Sequence, residues 1–445
     1  MPASDRPGRQ LGFLGHVNVV FLTYVGSAAL TFGMSVLLAR ALGPDGRGIY
    51  ALFLLSASLA QAALSLGLGV SAVYFLGKGT ASPARVVADA QHVTLAATVV
   101  SGVLVLIAWP TIGGRLLDEG APYWVFAFAV PLFLNYNVLT AVLQGQSRFL
   151  AMNAVVLAQP LVLLALLAAA MGMGDVGTRG ALLFWCAATG GATLRALALL
   201  GPALRPRALF TIDLASLREQ VRFGMKGQIG NLVQLLNYRL DQYIVLLFVS
   251  AAGVGIYAVS VTMSQSIWFL ANAVAVVLLP RLTAADPSEA ARVTPLVCRN
   301  TLLVSALAAL GLGAVSFWLV PGLFGEEFDS AVRPLLWLLP GTVALAGSKV
   351  LTSYIFSQGQ PLTNSMITLA ALGVTLVADL ALIPPFEVMG AAIASSLAYG
   401  VHFILSLYAY RRLSGGSGWD AVVVRADDLR RLLDAARSRP APAQP

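Results

Sequence analysis

The sequence predicts an all-α polytopic membrane protein with about twelve transmembrane helices. Of its 445 residues, 58% are hydrophobic and only 11% are charged, whereas an ordinary soluble domain has roughly 25% charged residues. The apolar residues also occur in runs of about twenty, which is the helix length that crosses a hydrocarbon core of roughly 30 Å. A water-soluble fold is therefore excluded, because it could not bury this much apolar surface.

The apolar runs predict six helices in each half of the chain. The first six cover residues 13–38, 49–76, 87–109, 122–144, 151–171 and 181–200. The second six cover residues 224–250, 254–280, 298–320, 333–357, 362–383 and 387–410. The first run is longer than the core of a signal peptide and lacks a small-residue cleavage site, so we expect it to remain a helix.

The basic residues orient these helices. With both termini inside, twenty of the 28 Lys and Arg residues lie in cytoplasmic segments and five lie in the opposite loops, as the positive-inside rule requires. This topology and the anionic lipids of the inner leaflet explain the net charge of +8, and no nucleic-acid partner is needed. The predicted location is the cell inner (cytoplasmic) membrane, multi-pass, with both termini cytoplasmic.

A short internal repeat relates the two halves. Gly48-Ile49-Tyr50-Ala51 recurs as Gly255-Ile256-Tyr257-Ala258, and Gln144-Gly145-Gln146 recurs as Gln358-Gly359-Gln360. Because each half holds an even number of helices, the halves should repeat in parallel. The predicted domains are an N-terminal lobe at 1–200, an interfacial linker at 201–223, a C-terminal lobe at 224–410 and a cytoplasmic tail at 411–445. In the tail we expect a flexible joint at Gly415–Gly418 and a charged helix near 420–437.

The seventh predicted helix carries the clearest polar pattern. Asn231, Gln234, Asn237 and Asp241 recur along roughly one stripe, and Arg239 lies near mid-depth on another face. Inserting a charged side chain at the bilayer centre costs roughly 2.5–3.5 kcal/mol of free energy, so charged residues at this depth usually have a functional or structural role. They indicate either a substrate site or an ion pair, between Arg239 and Asp241 or with another helix, that stabilises packing.

Two further charged residues lie inside the second set of helices. Lys349 is near the middle of helix ten, and its flexible side chain can reach a phosphate or a carboxylate. Asp379 is toward the outer end of helix eleven, where it could carry protons or sodium for coupling, pair with Lys349, or be a wetted end residue. Neither cysteine has the spacing of a metal or disulfide site, and no phosphate-binding loop occurs. No catalytic residue, metal or cofactor is predicted.

Several segments carry a family resemblance: Arg40–Pro44 with Gly48–Ala51, Arg239–Asp241 with Gly255–Ala258, and Leu323–Phe328 with Pro334–Leu336 and Pro340–Gly341. In order and spacing they resemble the polysaccharide biosynthesis proteins, the O-antigen flippase family of the multidrug/oligosaccharidyl-lipid/polysaccharide exporter superfamily. The resemblance covers about residues 13–410. It implies a flippase for lipid-linked oligosaccharides, with two six-helix lobes around a central cavity that opens alternately to each side. The turn at Gln358–Pro361 departs from the family pattern, because it lacks the basic residue often present there.

The favoured function is translocation of lipid-linked oligosaccharide for cell-surface polysaccharide biosynthesis, with membrane lipids and polysaccharide-assembly proteins as partners. Arg239 and Lys349 suit a pyrophosphate, and the three amides of helix seven suit sugar hydroxyls. Asp241 and Asp379 would serve coupling or ion pairing. The alternative is a multidrug or cation antiporter of the related efflux branch, which would usually need an acidic site. A membrane glycosyltransferase or polymerase is less well supported, because the external loops are short.

Overall fold

The computed structural model describes residues 13–116, 124–174, 176–201 and 212–423. Within these ranges the chain forms eleven α-helices and no β-strand, which confirms the predicted all-α class. The helices are α1 (Phe13–Leu64), α2 (Leu68–Gly77), α3 (Pro83–Leu116), α4 (Trp124–Gly145), α5 (Phe149–Met173), α6 (Gly177–Leu200), α7 (Leu214–Phe248), α8 (Ala251–Ala284), α9 (Pro287–Phe324), α10 (Val332–Ser357) and α11 (Pro361–Ser414). Short 3-10 helices lie at Glu326–Ala331 and Gly418–Ala421.

Helix α1 contains a sharp reversal rather than one straight span. Gly43 has a non-helical backbone with φ of 62° and is followed by Pro44. The guanidinium of Arg47 donates a hydrogen bond of 3.1 Å to Ser35 Oγ, although twelve residues of straight helix would separate the two by about 18 Å. The predicted helices before and after this turn are therefore separate segments.

Helix α11 reverses in the same way. Its 54 residues would extend for roughly 80 Å if straight, far beyond a bilayer core. Glu387 has φ of 53° just after Pro384 and Pro385. A Cβ atom placed on Gly390 would lie 2.1 Å from the carbonyl oxygen of Leu382, so the chain folds back tightly at this point. The predicted helices 362–383 and 387–410 are both present.

The second predicted helix, 49–76, is wrong as a continuous element. The structure ends α1 at Leu64 and begins α2 at Leu68. Between them, Leu66 and Gly67 have φ of 50° and 74°, which is left-handed backbone. Such a break leaves main-chain groups without helical partners, and inside a membrane it is tolerated where other protein groups or a water-filled cavity satisfy them.

Nine helical segments in the described part of the chain are long and apolar enough to cross a membrane. Two of these nine contain the reversals described above, so each supplies two passes. Helix α7 is not among the nine, because polar residues interrupt its apolar sequence. With α7 included, the described ranges contain twelve helical passes, as the sequence predicted. The protein is a multi-pass membrane protein.

The described chain divides into two compact units, Met1–Leu235 and Leu236–Pro445. In the first unit, α1 packs on α5, α3 on α4, and α5 on α6; in the second, α10 packs against α8, α9 and α11. Large apolar side chains such as Leu106 and Trp318 remain 75% exposed, as expected for surfaces that face lipid. The division falls within α7, whose single helix also includes residues 214–223 of the predicted linker. The predicted domain boundaries stay a prediction.

The repeated tyrosines are both buried in their own units. Tyr50 is 1% exposed and Tyr257 is 0% exposed, and each follows the start of a helical segment closely. The repeated Gln-Gly-Gln segments differ in conformation, because Gly145 lies within α4 whereas Gly359 lies in a turn with φ of 72°. In the first unit the left-handed turn residue is instead Ser147.

The start of the tail is more ordered than the sequence predicted. Gly415, with φ of 67°, ends α11 in the left-handed conformation typical of a helix C-terminus. Gly418 is buried against the side chain of Arg411, and Ala421 belongs to the apolar core of the second unit. A guanidinium nitrogen of Arg299 donates a 3.1 Å hydrogen bond to the carbonyl oxygen of Asp420. Gly415–Gly418 is therefore not a flexible joint, and residues 424–437 of the predicted tail helix lie outside the described residues.

Candidate functional site

The polar residues of α7 fall into both units. Asn231 and Gln234 belong to the first unit, whereas Asn237, Arg239 and Asp241 belong to the second. Asn231 is exposed and Gln234 and Arg239 are half-buried. Asn237 and Asp241 are only 4% and 3% exposed.

Asp241 is the centre of a hydrogen-bonded cluster in the second unit. Tyr257 Oη donates to its Oδ2 at 2.5 Å, Ser395 Oγ donates to the same oxygen at 3.2 Å, and the backbone N–H of Gln242 donates to Oδ1 at 2.8 Å. Tyr257 comes from α8 and Ser395 from the second half of α11. Within the described residues no ion pair joins Asp241 to Arg239, so hydrogen bonds hold this carboxylate in place.

Asp379 lies in the same region of the second unit. It is 0% exposed and neither carboxylate oxygen has a hydrogen-bond partner among the described residues. One turn before Asp379, Thr375 Oγ1 donates a 3.3 Å hydrogen bond to Asn237 Oδ1. Asp379 is therefore not a wetted end residue, and we name Asn237, Asp241, Tyr257, Thr375, Asp379 and Ser395 the polar cluster.

Lys349 has an aromatic rather than an acidic neighbour. Its Nζ lies 5.5 Å from the centroid of the Trp268 ring, within the range of a cation–π interaction. Trp268 packs against Tyr238 and Tyr399, with ring centroids 5.2 and 5.7 Å apart. Among the described residues no carboxylate forms an ion pair with Lys349, so Asp379 is not its partner.

The sequence interpretation missed the partners of Asp241. Ser395 lies in an apolar stretch of α11 that contains several small residues, and nothing in its spacing distinguishes it. Tyr257 did carry a signal, since it belongs to the repeated Gly-Ile-Tyr-Ala segment, but that repeat by itself indicates only architecture. Trp268 is an aromatic residue within the apolar run of α8, where its type and spacing give no sign of a cationic neighbour.

Asn231 lines a pocket that lies wholly within the first unit. The pocket is a cavity of about 500 Å³ between α1, α2, α4 and the first part of α7. Amide and hydroxyl side chains line it together with apolar residues, and no charged side chain of the described chain does so. Gln234 is not among the lining residues, so the structure does not bring the two amides to this one cavity.

Comparison with known families identifies the chain. The family model described as "Polysaccharide biosynthesis protein" matches residues 15–285, which is more than half of the 445 residues. The chain belongs to this family. The match covers α1 to α8, including both the first-unit pocket and the α7–α8 part of the polar cluster. A comparison with curated proteins gives no significant sequence match.

Solved structures share the fold of this polysaccharide biosynthesis family member. The lipid II flippase MurJ in an inward closed conformation has a TM-score of 0.70 at 10% identity, over 94% of this chain and 92% of MurJ. An inward-facing multidrug resistance MATE family transporter of the MOP superfamily has a TM-score of 0.66 at 14% identity, over 89% and 98% of the two chains. A MOP superfamily transporter from Pyrococcus furiosus, described as having a binding pocket of reverse polarity, has a TM-score of 0.61 at 12% identity, over 92% and 99%. At these identities the likeness shows the fold alone.

Proposed function

We propose that the protein translocates lipid-linked oligosaccharides across the cytoplasmic membrane for cell-surface polysaccharide biosynthesis. The observation that carries the proposal is the family match over residues 15–285. The fold similarity to a lipid II flippase over nearly the whole chain supports it further. In this proposal the protein is a transporter and not an enzyme, and it works by alternating exposure of its binding groups to the two membrane faces.

Arg239 and Lys349 are the proposed contacts for the anionic headgroup. Both belong to the second unit, both are half-buried, and neither forms an ion pair with a carboxylate among the described residues. A cation inside a membrane protein without an acidic partner is available to an anionic ligand. Arginine binds phosphate oxygens through two parallel hydrogen bonds, and lysine acts as a point charge. The proposed amides for neutral sugar groups are Asn237 in the second unit and, separately, Asn231 and Gln234 in the first unit.

Asp241 and Asp379 are the proposed coupling residues. Both carboxylates are buried, and a buried carboxylate carries a negative charge only at a high cost in free energy, so a proton or a sodium ion would stabilise each of them. Thr375 and Ser395 add neutral oxygen atoms, which are suitable ligands for a hard cation. Binding of the cation to the polar cluster would then bias the conformation of the second unit, which is how an ion gradient drives transport.

A multidrug or cation antiporter is the second candidate, and Asp379 is the observation that favours it. Neither oxygen of this buried carboxylate has a hydrogen-bond partner among the described residues, so it is attractive to a cationic substrate as well as to a coupling ion. The cations Arg239 and Lys349 argue against this function, because they would repel such a substrate.

Reconstitution separates the two functions. The full chain in proteoliposomes should move lipid-linked oligosaccharide from one leaflet to the other, measured as accessibility of the glycan to an added glycosidase or lectin. Efflux of a lipophilic cation such as tetraphenylphosphonium, with no movement of the lipid-linked oligosaccharide, would reject the flippase function and support the antiporter function.

In cells, both termini and the 201–223 linker are proposed to be cytoplasmic. The proposed partners are polysaccharide-assembly proteins of the same membrane.

A further inference from the structure

The first unit contains a binding pocket that neither the charged residues nor the polar cluster explains. From the side chains that line it, we infer that this pocket binds neutral sugar residues of the substrate glycan, apart from the charged lipid-pyrophosphate headgroup. The inference rests on the proposed function for the identity of the substrate, and it assigns a separate site to the uncharged part.

The chemistry of the lining selects for hydroxyl groups. The free amides of Gln61, Gln144 and Asn231 border the cavity, and none makes a hydrogen bond within the described part of the protein. Each amide offers two N–H donors and a carbonyl acceptor. A sugar hydroxyl is also both donor and acceptor, so amides match it in either orientation. Asn137 adds its Oδ1 to this set, because only its Nδ2 is used, in a 2.8 Å bond to the carbonyl of Phe133.

Other ligand classes fit this pocket poorly. No described Lys or Arg side chain lines it, so a phosphate would have no cation to neutralise it. No described Asp or Glu side chain lines it either, so a cationic drug would have no counter-charge. Phe133, Val70 and Val73 provide apolar walls that suit the C–H faces of a sugar ring. The volume of about 500 Å³ lies within the roughly 300–1,000 Å³ of small-ligand sites.

The broken helix between α1 and α2 holds the pocket walls in place. A Cβ atom on Gly67 would lie 2.2 Å from the carbonyl carbon of Gly224, so the backbones of the break and of α7 touch there. The break frees the carbonyl of Ala62, and Gln228 Nε2 of α7 satisfies it with a 2.8 Å hydrogen bond. Ser65 Oγ also donates to this carbonyl, at 3.0 Å. Discontinuous helices of this kind form ligand sites in transporters because they bring main-chain polar groups to a cavity.

The pocket is accessible at one end of the first unit. Gln144 and Asn231 are exposed. Gln144 is next to the end of α4, and Val73 is four residues from the end of α2. The pocket therefore lies in the part of these helices nearer to the turn that contains Lys78, which the proposed topology places on the cytoplasmic side. A glycan entering from the cytoplasm would meet the amides first.

Protection of an introduced thiol tests the pocket directly. Val73→Cys, in the full chain with Cys186→Ala and Cys298→Ala, places one thiol on the pocket wall, and its reaction with N-ethylmaleimide is followed in nanodiscs. The probe is the oligosaccharide released by mild acid from the host's own lipid-linked pool, which carries no pyrophosphate. We expect this glycan to slow the labelling, and inorganic pyrophosphate and tetraphenylphosphonium to leave it unchanged. Ala215→Cys in the same background is the control, and its labelling should not respond to the glycan.

Variants that lack a single amide side chain test whether the residues lining the pocket are responsible for the protection of the thiol by the glycan. Asn231→Leu or Gln61→Leu, combined with Val73→Cys, should each raise the glycan concentration for half-protection roughly three- to tenfold, as expected for one or two lost hydrogen bonds. Gln360→Leu, an exposed amide at the start of α11, should change nothing. Asn231→Ala and Gln61→Ala replace any leucine variant whose melting temperature falls.

The outcomes separate this inference from the proposed function. Absence of protection by the glycan, or equal protection by pyrophosphate or the cation, overturns the sugar pocket. If proteoliposomes still flip lipid-linked oligosaccharide in that case, the proposed function stands without it. Protection by the glycan in a protein that flips nothing supports the pocket and rejects the flippase.

Discussion

The phenolic oxygen of Tyr257 lies 2.5 Å from Oδ2 of Asp241 and donates a hydrogen bond to it. The pair links α7 to α8 in the interior of the second unit, and Ser395 joins it from α11. An asparagine at position 241 retains an oxygen that accepts these two hydrogen bonds, loses the acceptor for the backbone N–H of Gln242, and cannot take up a proton or balance a cation. The geometry therefore permits the structural and coupling roles of Asp241 to be separated.

We predict that Asp241→Asn leaves the protein abundant in the membrane but abolishes ion-dependent transport. Tyr257→Phe should retain transport and lower stability, by roughly 1–3 kcal/mol, because a buried acceptor loses its donor. Immunoblots of membranes, melting temperatures and glycan translocation measure these effects. Loss of Asp241→Asn from the membrane would instead assign Asp241 to folding alone.

Arg239→Ala and Lys349→Ala should each reduce glycan translocation at least tenfold, with the protein still inserted and abundant. Charged hydrogen bonds contribute roughly 1.5–3 kcal/mol, and 1.4 kcal/mol corresponds to a factor of ten. Arg239→Lys should do less harm because it keeps the charge. The measurement is complementation of a strain that lacks the gene, scored by surface polysaccharide.

Arg412→Ala is the matched control for the Arg239→Ala and Lys349→Ala variants, because Arg412 is an exposed cation in the last turn of α11. It should leave transport unchanged. Full transport by a stably expressed double variant, Arg239→Ala/Lys349→Ala, would refute the proposed contacts with the headgroup. Both residues would then have a packing role only.

Much of the fold could be predicted from sequence because lipid restricts the choice to helices of a certain length. The turn at Gly43 lies between two predicted helices, and the turn at Glu387 lies at the first residue of the predicted helix 387–410. The polar pattern of α7 was also evident. The break at Gly67 was not, since it depends on contact with Gly224, a glycine far away in the sequence, and 42 glycines give no local sign of which two meet. The hydrogen bond between Asp241 and Ser395 was missed for the same reason: it depends on how distant helices pack, which periodicity does not encode.

The contact between Gly67 and Gly224 should tolerate no side chain. Gly67→Ala places a Cβ 2.2 Å from main-chain atoms at a backbone with φ of 74°, and Gly224→Ala meets the carbonyl oxygen of Gly67 at the same distance. We expect each variant to lose at least roughly 1–3 kcal/mol of stability and to be poorly expressed. Gly102→Ala in α3 is the control, because a Cβ atom at that position would meet nothing within 4 Å, and it should express normally. Normal melting temperatures for both interface variants would show that the break is not held by this contact.

The ordered turn after α11 should contribute to stability. Ala421 is fully buried in an apolar cluster with Cys298, Tyr354 and Tyr410. Ala421→Asp would bury a carboxylate there, so we expect the turn to detach and the melting temperature of the purified protein to fall. Val423→Asp, two residues on at an exposed position, should have little effect. Equal melting temperatures for Ala421→Asp and the parent protein would contradict the docking of this turn.

The topology can be tested at the start of α7, where Ala215 is a better labelling position than its neighbour Ser216. Ser216 Oγ donates a 2.9 Å hydrogen bond to Asp89, which also accepts one of 2.6 Å from Gln220 Nε2, so a cysteine there would disturb contacts between α3 and α7. Ala215 is exposed and its side chain makes no such bond. In a protein with both native cysteines replaced by alanine, Ala215→Cys should react with an impermeant maleimide only after the cells are opened, because the positive-inside rule places this basic segment in the cytoplasm. Rapid labelling from outside intact cells would invert the topology, and with it the side from which a glycan could enter the first-unit pocket.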